Sequence, residues 1–124
     1  MPQDFHDLAV WRRAIDLTVS IYKLTRKFPK EETYGLVSQL RRAGVSVASN
    51  ISEGRGRLNP AEFRQFLGIA LGSTFEIQTQ LLVARKLEMG DHEAICEAAA
   101  LSDEISKMLT SFIQTLSSKP KAKS

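Results

Sequence analysis

The chain has 124 residues, 43% hydrophobic and 25% charged, a composition that fits one globular domain and excludes a disordered chain. Seventeen Lys and Arg against fourteen Asp and Glu give a net charge of +3, which is too small to establish nucleic-acid binding by itself. The single cysteine excludes an internal disulfide framework, and neither an apolar leader nor an uncharged run of about 20 residues is evident, so we expect a cytoplasmic protein without membrane attachment.

The first two helices lie in segments with helical periodicity, and no segment of the chain shows sustained strand alternation. The first helix is predicted to run from about Leu8 to Lys27, with Asp7 as its N-cap. The second is predicted to run from about Thr33 to Gly54, with an acidic pair beside its start.

The third helix has the strongest start signal, because Asn59 is a good N-cap and Pro60 suits the first helical turn. The fourth is predicted to begin near Asp91 and to end before the sequence SSKPKAKS. Four helices of about 20 residues with short connections predict an all-α fold, an antiparallel up-down four-helix bundle. We expect this domain to span residues 1–117 and residues 118–124 to form a flexible basic tail.

Helix one carries more apolar surface than a single bundle would cover. Its apolar positions span an arc of roughly 200°, whereas a peripheral helix needs little more than about 100°. The positions form two stripes, one of Leu8, Trp11, Ile15 and Tyr22, the other of Val10, Ala14, Leu17, Ile21, Leu24 and Phe28.

Helix three has a similar excess, since Leu71, Phe75 and Leu82 face away from the stripe made by Phe63, Leu67, Ala70, Ile77 and Leu81. Gly68 and Gly72, four residues apart, would let another backbone approach closely. Either both helices are central in the fold, or the surplus apolar surface contacts another subunit. Because every helix of a four-helix bundle is peripheral, the second interpretation predicts a homo-oligomer.

Polar side chains form a continuous stripe along helix two and a shorter one along helix three. The two stripes would face each other across a helix–helix contact. They form either a structural hydrogen-bond network or a functional pocket, and we predict the network. Its predicted members are Gln39, Arg42, Ser46, Asn50 and Glu53 on helix two, with Ser73, Glu76 and Gln80 on helix three.

No residue pattern indicates catalysis. The sequence EGRGR ends a helix and lacks the Lys-Ser/Thr pair of a phosphate loop, so Gly54 and Gly56 are interpreted as a helix terminus and turn. Neither His6 nor His92 follows a Glu by three residues, which excludes a di-iron bundle, and His92 with Cys96 supplies only two metal ligands. We therefore predict a protein that is not an enzyme and has no cofactor or metal.

A resemblance to a known family is nevertheless carried by these motif residues: Leu8, Trp11, Phe28, Pro29, Glu32, Gln39, Leu40, Arg41, Arg42, Ser46, Asn50, Glu53, Gly54, Phe66, Leu67, Ala70, Gly72, Ser73 and Glu76. The chain is similar to the bacterial four-helix-bundle proteins encoded in intervening sequences of 23S ribosomal RNA genes, and also to the accessory protein of diversity-generating retroelements. The resemblance covers roughly Phe5 to Gly90, with conservative departures at Val47 and Ser52.

The resemblance implies a four-helix protomer that assembles into a ring-like homopentamer. The retroelement accessory protein is understood to bind nucleic acid and a reverse transcriptase through a basic surface, so RNA or DNA and a reverse transcriptase become expected partners. Most intervening-sequence members have no established activity, and the resemblance is therefore more informative about fold than about function.

Basic residues that would form such a surface are present. An oligomer multiplies the field of a modestly charged protomer, and without aromatic residues among the cations the contacts would be to phosphates. We predict an oligomeric accessory factor that binds nucleic acid without sequence specificity; the alternative is an interaction scaffold that binds none. The candidate phosphate contacts are Arg12, Arg13, Lys23 and Lys27 on helix one, with Arg41, Arg55 and Arg57 on or just after helix two.

Overall fold

The computed structural model describes residues 5–117, with side chains from residue 9 onward, and these residues form four long helices and no strand. The predicted all-α four-helix fold is thereby confirmed. The predicted basic tail lies outside the described residues. The helices are α1 (Phe5–Thr25), α2 (Ser38–Arg55), α3 (Pro60–Lys86) and α4 (His92–Ser117).

The start of α3 agrees with the sequence signal. The Asn59 side-chain oxygen accepts hydrogen bonds from the backbone N–H groups of Ala61 at 2.9 Å and Glu62 at 3.1 Å, and Pro60 occupies the first helical position. The N-cap predicted for α1 is wrong. Because α1 begins at Phe5, Asp7 lies inside the helix, where its position is not that of a cap.

The second helix is not continuous from Thr33, as the sequence analysis predicted. A 3₁₀ turn at Lys30–Glu32 and a π-helical turn at Thr33–Val37 precede α2. The interruption has two causes: Gly35 leaves helical geometry at φ −107° and ψ −109°, and the Glu32 side chain accepts a hydrogen bond from Leu36 N at 3.2 Å.

The core lies along one face of every helix. Each helix packs against its neighbours in the chain, and α1 also packs against α4, which closes the arrangement around a shared apolar interior. The inward stripe of α1 is 6% exposed or less at every position, and Phe63 of α3 meets Phe112 of α4 edge to face with ring centres 5.3 Å apart. The stripe is Val10, Ala14, Leu17, Ile21 and Leu24 on α1, continued by Phe28 three residues after the helix ends.

The helix end predicted at Gly54 and Gly56 is confirmed, since α2 ends at Arg55 with Gly56 as its C-cap, but Gly54 is also a contact point between helices. A Cβ at Gly54 would lie 2.7 Å from Phe66 Cβ and 3.3 Å from Phe63 O, so α2 and α3 approach closely only with glycine there. The turn between these helices takes its left-handed residue from Leu58, at φ 59°, while Gly56 has an ordinary φ of −70°.

Within residues 5–117, α3 is the one helix long and apolar enough to cross a membrane by length and composition alone. A single such helix is weak evidence for a membrane span, because the core helix of a globular protein passes the same test. Only 33% of its most apolar stretch is buried within the protomer. The helix therefore combines a core face with a second, uncovered apolar face.

Candidate interaction surfaces

The outward apolar stripe of α1 is exposed at every position whose side chain is described. Trp11, Ile15 and Tyr22 keep 37–39% of their surface accessible, whereas the parallel inward stripe is buried. Val19, 47% exposed, extends the same surface and was not assigned from the sequence. Its position about 80° from Trp11 around the helix was the signal that could have assigned Val19 to this surface.

The outer face of α3 is apolar over a wider arc. Phe75 and Leu82, predicted to face away from the core, are 52% and 44% exposed, and Ile69, which the sequence analysis did not single out, is 49% exposed. A Cβ placed on Gly68 or Gly72 would meet nothing within 4 Å. These two glycines therefore leave a shallow open surface on the protomer. Within the described residues, no other helix of the same protomer packs against them.

The polar stripes of α2 and α3 do meet across the seam between these helices. Ser46 Oγ and Ser73 Oγ are 2.9 Å apart, and Ser73 is buried. Asn50 Nδ2 donates to Ser46 O at 2.8 Å and to Ser46 Oγ at 3.0 Å. A serine pair buttressed by an asparagine thus occupies the middle of the seam, where polar groups without partners would be costly.

A second polar cluster lies one to two helical turns away along the same seam. Gln80 Nε2 donates to Gln39 Oε1 at 3.3 Å and to Glu76 Oε2 at 3.4 Å, and Arg42 pairs with Glu76 at 3.7 Å. Gln80 Oε1 is buried and has no hydrogen-bond partner among the described residues. The cluster is held by contacts among amide, carboxylate and guanidinium groups.

Glu53 differs from the other predicted members of the network. Its carboxylate, about half exposed, pairs with Arg57 at 2.8 Å at the end of α2. No described contact joins it to Asn50 or Glu76. Glu53 lies near the bundle end, where solvent competes for its charge, and it takes a local i,i+4 partner.

Several of the predicted phosphate contacts are engaged within the protomer. Arg13 donates to Glu104 at 2.8 Å and to Asp16 at 3.4 Å, and the hydrogen bond to Glu104 is the main cause that raises the pKa of Arg13 above its ordinary value. Arg41 donates to Thr25 Oγ1 at 3.0 Å while its guanidinium lies 4.6 Å from the centre of the Tyr22 ring.

Arg57 is the third engaged residue, since its guanidinium pairs with Glu53 and lies 5.1 Å from the ring centre of Phe66. Arg55 is half-buried and is not free either. The remaining candidates are exposed: Arg12 and Lys23 on α1, and Lys27 in the turn after it.

Lys23 and Lys27 line a groove between α1 and α4 together with the carboxylates of Asp16 and Asp91. Opposite charges in the same groove reduce its local positive potential. The described part of the chain therefore presents a mixed surface on this side, where the lysines and the carboxylates are all exposed.

No metal site is formed in the described residues. His92 Nε2 and Cys96 Sγ are 3.5 Å apart on the exposed face of the first turns of α4, but residues 5–117 contain no group of three or more His, Cys, Asp or Glu side chains placed to hold an ion. The pair is a local contact between side chains four residues apart.

The chain is an all-α helical-bundle protein. Its four helices surround one core, polar side chains line the α2–α3 seam, and apolar faces of α1 and α3 are left uncovered. The model of the 23S rRNA-intervening sequence protein family matches residues 6–111, and the chain belongs to this family. The match includes most of α4, beyond the Phe5–Gly90 range expected from the motifs.

A solved structure has the same fold. It is a protein of unknown function from the S23 ribosomal protein family of Bacteroides thetaiotaomicron VPI-5482, with a TM-score of 0.81 and 27% sequence identity. The similarity covers 89% of this chain and 99% of that one. None of the curated proteins matches the chain.

Proposed function

We propose that this protein is a homo-oligomer of antiparallel four-helix protomers that acts as an assembled scaffold. The observation that carries the proposal is the apolar surface left uncovered on α1 and α3. Large side chains on both helices keep about two fifths to one half of their surface accessible, and monomeric proteins rarely expose such contiguous surfaces.

The antiparallel order is supported by the direction of the helix contacts. Thr18 Oγ1 donates to Gly44 O at 2.9 Å, and further along α1 Thr25 Oγ1 accepts from Arg41, which lies earlier in α2. The pairs across the α2–α3 seam run the same way, since residue 46 meets 73 and residue 39 meets 80. Position numbers that rise on one helix as they fall on the next are typical of up-down bundles.

The location of the two apolar surfaces favours a ring. Helices α1 and α3 each pack between α2 and α4, so their outer faces are on different sides of the protomer. A contact between two unlike surfaces repeats head to tail and closes into a ring when the rotation between subunits permits. The pentamer implied by the resemblance is one such closed ring.

Sedimentation equilibrium at micromolar concentration tests the assembly. We expect the wild type to sediment as a single oligomer and the double variant Ile15→Glu, Phe75→Glu to dissociate, because both changes place charge on exposed apolar surface. Thr110→Glu, at an exposed polar position of α4, is the matched control and should leave the mass unchanged. A monomeric wild type would contradict the proposal.

Nucleic-acid binding is the second candidate function, favoured by the exposed cations Lys23, in the last turn of α1, and Lys27, just after it. Repeated around an oligomer, these charges would contact phosphates and bind RNA or DNA without base specificity. An accessory role beside a reverse transcriptase remains part of this candidate.

Fluorescence polarisation with labelled RNA and duplex DNA tests this candidate over a range of salt concentrations. Binding should weaken steeply with salt, because each phosphate contact releases counterions. The variant Lys23→Glu, Lys27→Glu should lose affinity for all sequences, while the charge-matched control Lys86→Glu, Lys107→Glu should retain it. Equal losses of affinity in both variants would indicate that binding depends on net charge alone. If the wild type does not bind near physiological salt, the scaffold is the function.

A further inference from the structure

The exposed side of α1 contains a stripe with cationic ends and an apolar middle. Its positions are Arg12, Ile15, Val19 and Tyr22 on α1 and Arg26 in the turn directly after it, spaced alternately by three and four residues, and each is exposed. Such spacing places them along one side of the helix, as in a coiled-coil seam. The two arginines are 14 residues apart, which corresponds to about 21 Å along the helix axis. Neither forms an ion pair with another residue of the described chain.

Helix α3 contains a stripe with the same spacing and the opposite charge at its ends. Its positions are Glu62, Gln65, Ile69, Gly72 and Glu76, and each lies 50 residues after a position of the α1 stripe. Glu76 is half-buried beside Arg42, and the other four positions are exposed. The two carboxylates are again separated by about 21 Å, so both charged ends can be matched at once.

We infer that the α1 stripe of one copy of this chain packs in parallel against the α3 stripe of a second copy. Arg12 then lies opposite Glu62, Val19 opposite Ile69, and Arg26 opposite Glu76. The inference rests on the self-association proposed above and assigns its register. It joins two unlike surfaces of the protomer, as a head-to-tail ring requires.

The Tyr22 ring fits this register because it falls opposite Gly72. A Cβ on Gly72 would meet nothing within 4 Å in the protomer, so the position offers an uncovered backbone against which an aromatic ring can lie. Tyr22 is itself held in place by the Arg41 guanidinium, 4.6 Å from its ring centre. A fixed aromatic ring set against an open glycine is a contact of the kind that carries much of an interface's binding energy.

The other apolar side of α3 is a poorer match for the α1 stripe. Phe75 and Leu82 point about 100° away from Ile69–Glu76, and the same side of the helix carries Arg64 and Lys86. Those cations would lie near the arginines of α1 and repel them. An antiparallel register would place Tyr22 opposite Gln65 instead of Gly72, so the ring would lose the uncovered backbone.

A charge-reversal cycle tests the register through the dissociation constant between subunits. Arg12→Glu and Glu62→Arg should each raise it about tenfold, because each places like charges face to face, and the double variant should restore most of the affinity. Arg64→Glu and Lys86→Glu, on the other side of α3, serve as controls and should change it little. Additive losses in the double variant would overturn the register.

Directed disulfide formation gives an independent measurement in a Cys96→Ser background, which removes the native thiol. Under a mild oxidant, Tyr22→Cys with Gly72→Cys should give covalently linked subunits on a non-reducing gel, whereas Tyr22→Cys with Phe75→Cys should not. If the oligomer forms but only the Phe75 pair links, the register is wrong and the scaffold proposal stands. If the wild type is monomeric, both proposals fail.

Discussion

The α2–α3 seam and the α1–α4 seam are built in different ways. Across α2–α3, the helices come so close that Gly54 leaves no room for a Cβ, and buried Ser73 bonds to Ser46. Across α1–α4, the defined polar contact is the exposed pair of Arg13 and Glu104.

Grooves accompany the α1–α4 seam near both of its ends. One is lined by Lys23, Lys27 and Ala94, and the other by Val10 and Phe112 with their neighbours. Helices α2 and α3 are joined by a short turn, which holds their ends together, whereas α1 and α4 are brought together only by the rest of the fold. The comparison indicates that the α2–α3 seam contributes more to stability, and that the α1–α4 seam tolerates substitutions better.

The largest effect is expected at the closest point of the α2–α3 seam. Gly54→Ala should lower the free energy of unfolding by roughly 1–3 kcal/mol. The new Cβ would overlap Phe66 Cβ, so the backbones of α2 and α3 would have to move apart. Gly68→Ala is the matched control within a helix, where nothing lies near the new Cβ and stability should rise by up to about 1 kcal/mol. Urea unfolding at one fixed protein concentration measures both, and equal responses would contradict the close packing assigned to Gly54.

The next effect is expected in the middle of the same seam. Ser73→Ala removes the partner of Ser46 Oγ, which keeps only its bond from Asn50, and should cost about 1 kcal/mol. Ser111→Ala, at an exposed position of α4, should change stability by less than about 0.5 kcal/mol. If the two variants have the same urea midpoint, the buried serine pair does not stabilise the seam.

A smaller effect is expected across α1–α4. Glu104→Ala removes the partner of Arg13, but both side chains are about half exposed, so the loss should be about 0.5 kcal/mol or less. The loss should shrink further at high salt, because exposed charges are screened. Thermal unfolding of wild type and variant at low and high salt checks this, and a large, salt-independent loss would show that this seam is as tightly held as α2–α3.

The smallest effect is expected where the polar stripe of α2 reaches the bundle end. Glu53→Ala breaks only the exposed pair with Arg57 and should change the unfolding free energy by less than about 0.5 kcal/mol. Asn50→Ala, one turn earlier, should cost about 1 kcal/mol because its amide holds Ser46. If the Glu53 variant loses as much unfolding free energy as the Asn50 variant, Glu53 belongs to the polar network after all.

Much of this organisation could be predicted from local sequence. The cap at Asn59, the inward stripe of α1 and the outward positions Trp11 and Phe75 agree with the structure. Capping depends on a few adjacent residues, and the division between core and surface follows helical periodicity. The positions that differ are those where a contact between distant segments decides the geometry.

Gly54 is the clearest example. Glycine after a polar helical run is typical of a helix end, and nothing nearby in sequence indicates that Phe63 and Phe66 close on it from α3. The sequence also did not show which polar residues bond across the seam and which pair locally. Asn50 and Glu53 share one stripe, but they differ in how far they lie from the end of the seam.

The sequence by itself determined four amphipathic helices, their approximate ends, and an excess of apolar surface on α1 and α3, because these depend on local backbone preference and on counting faces of a helix. The tertiary structure alone decided which polar residues meet, which arginines are engaged within the protomer, and why Gly54 has no side chain. Those outcomes depend on the distance between helices, which is fixed only when side chains from several segments fill one interior.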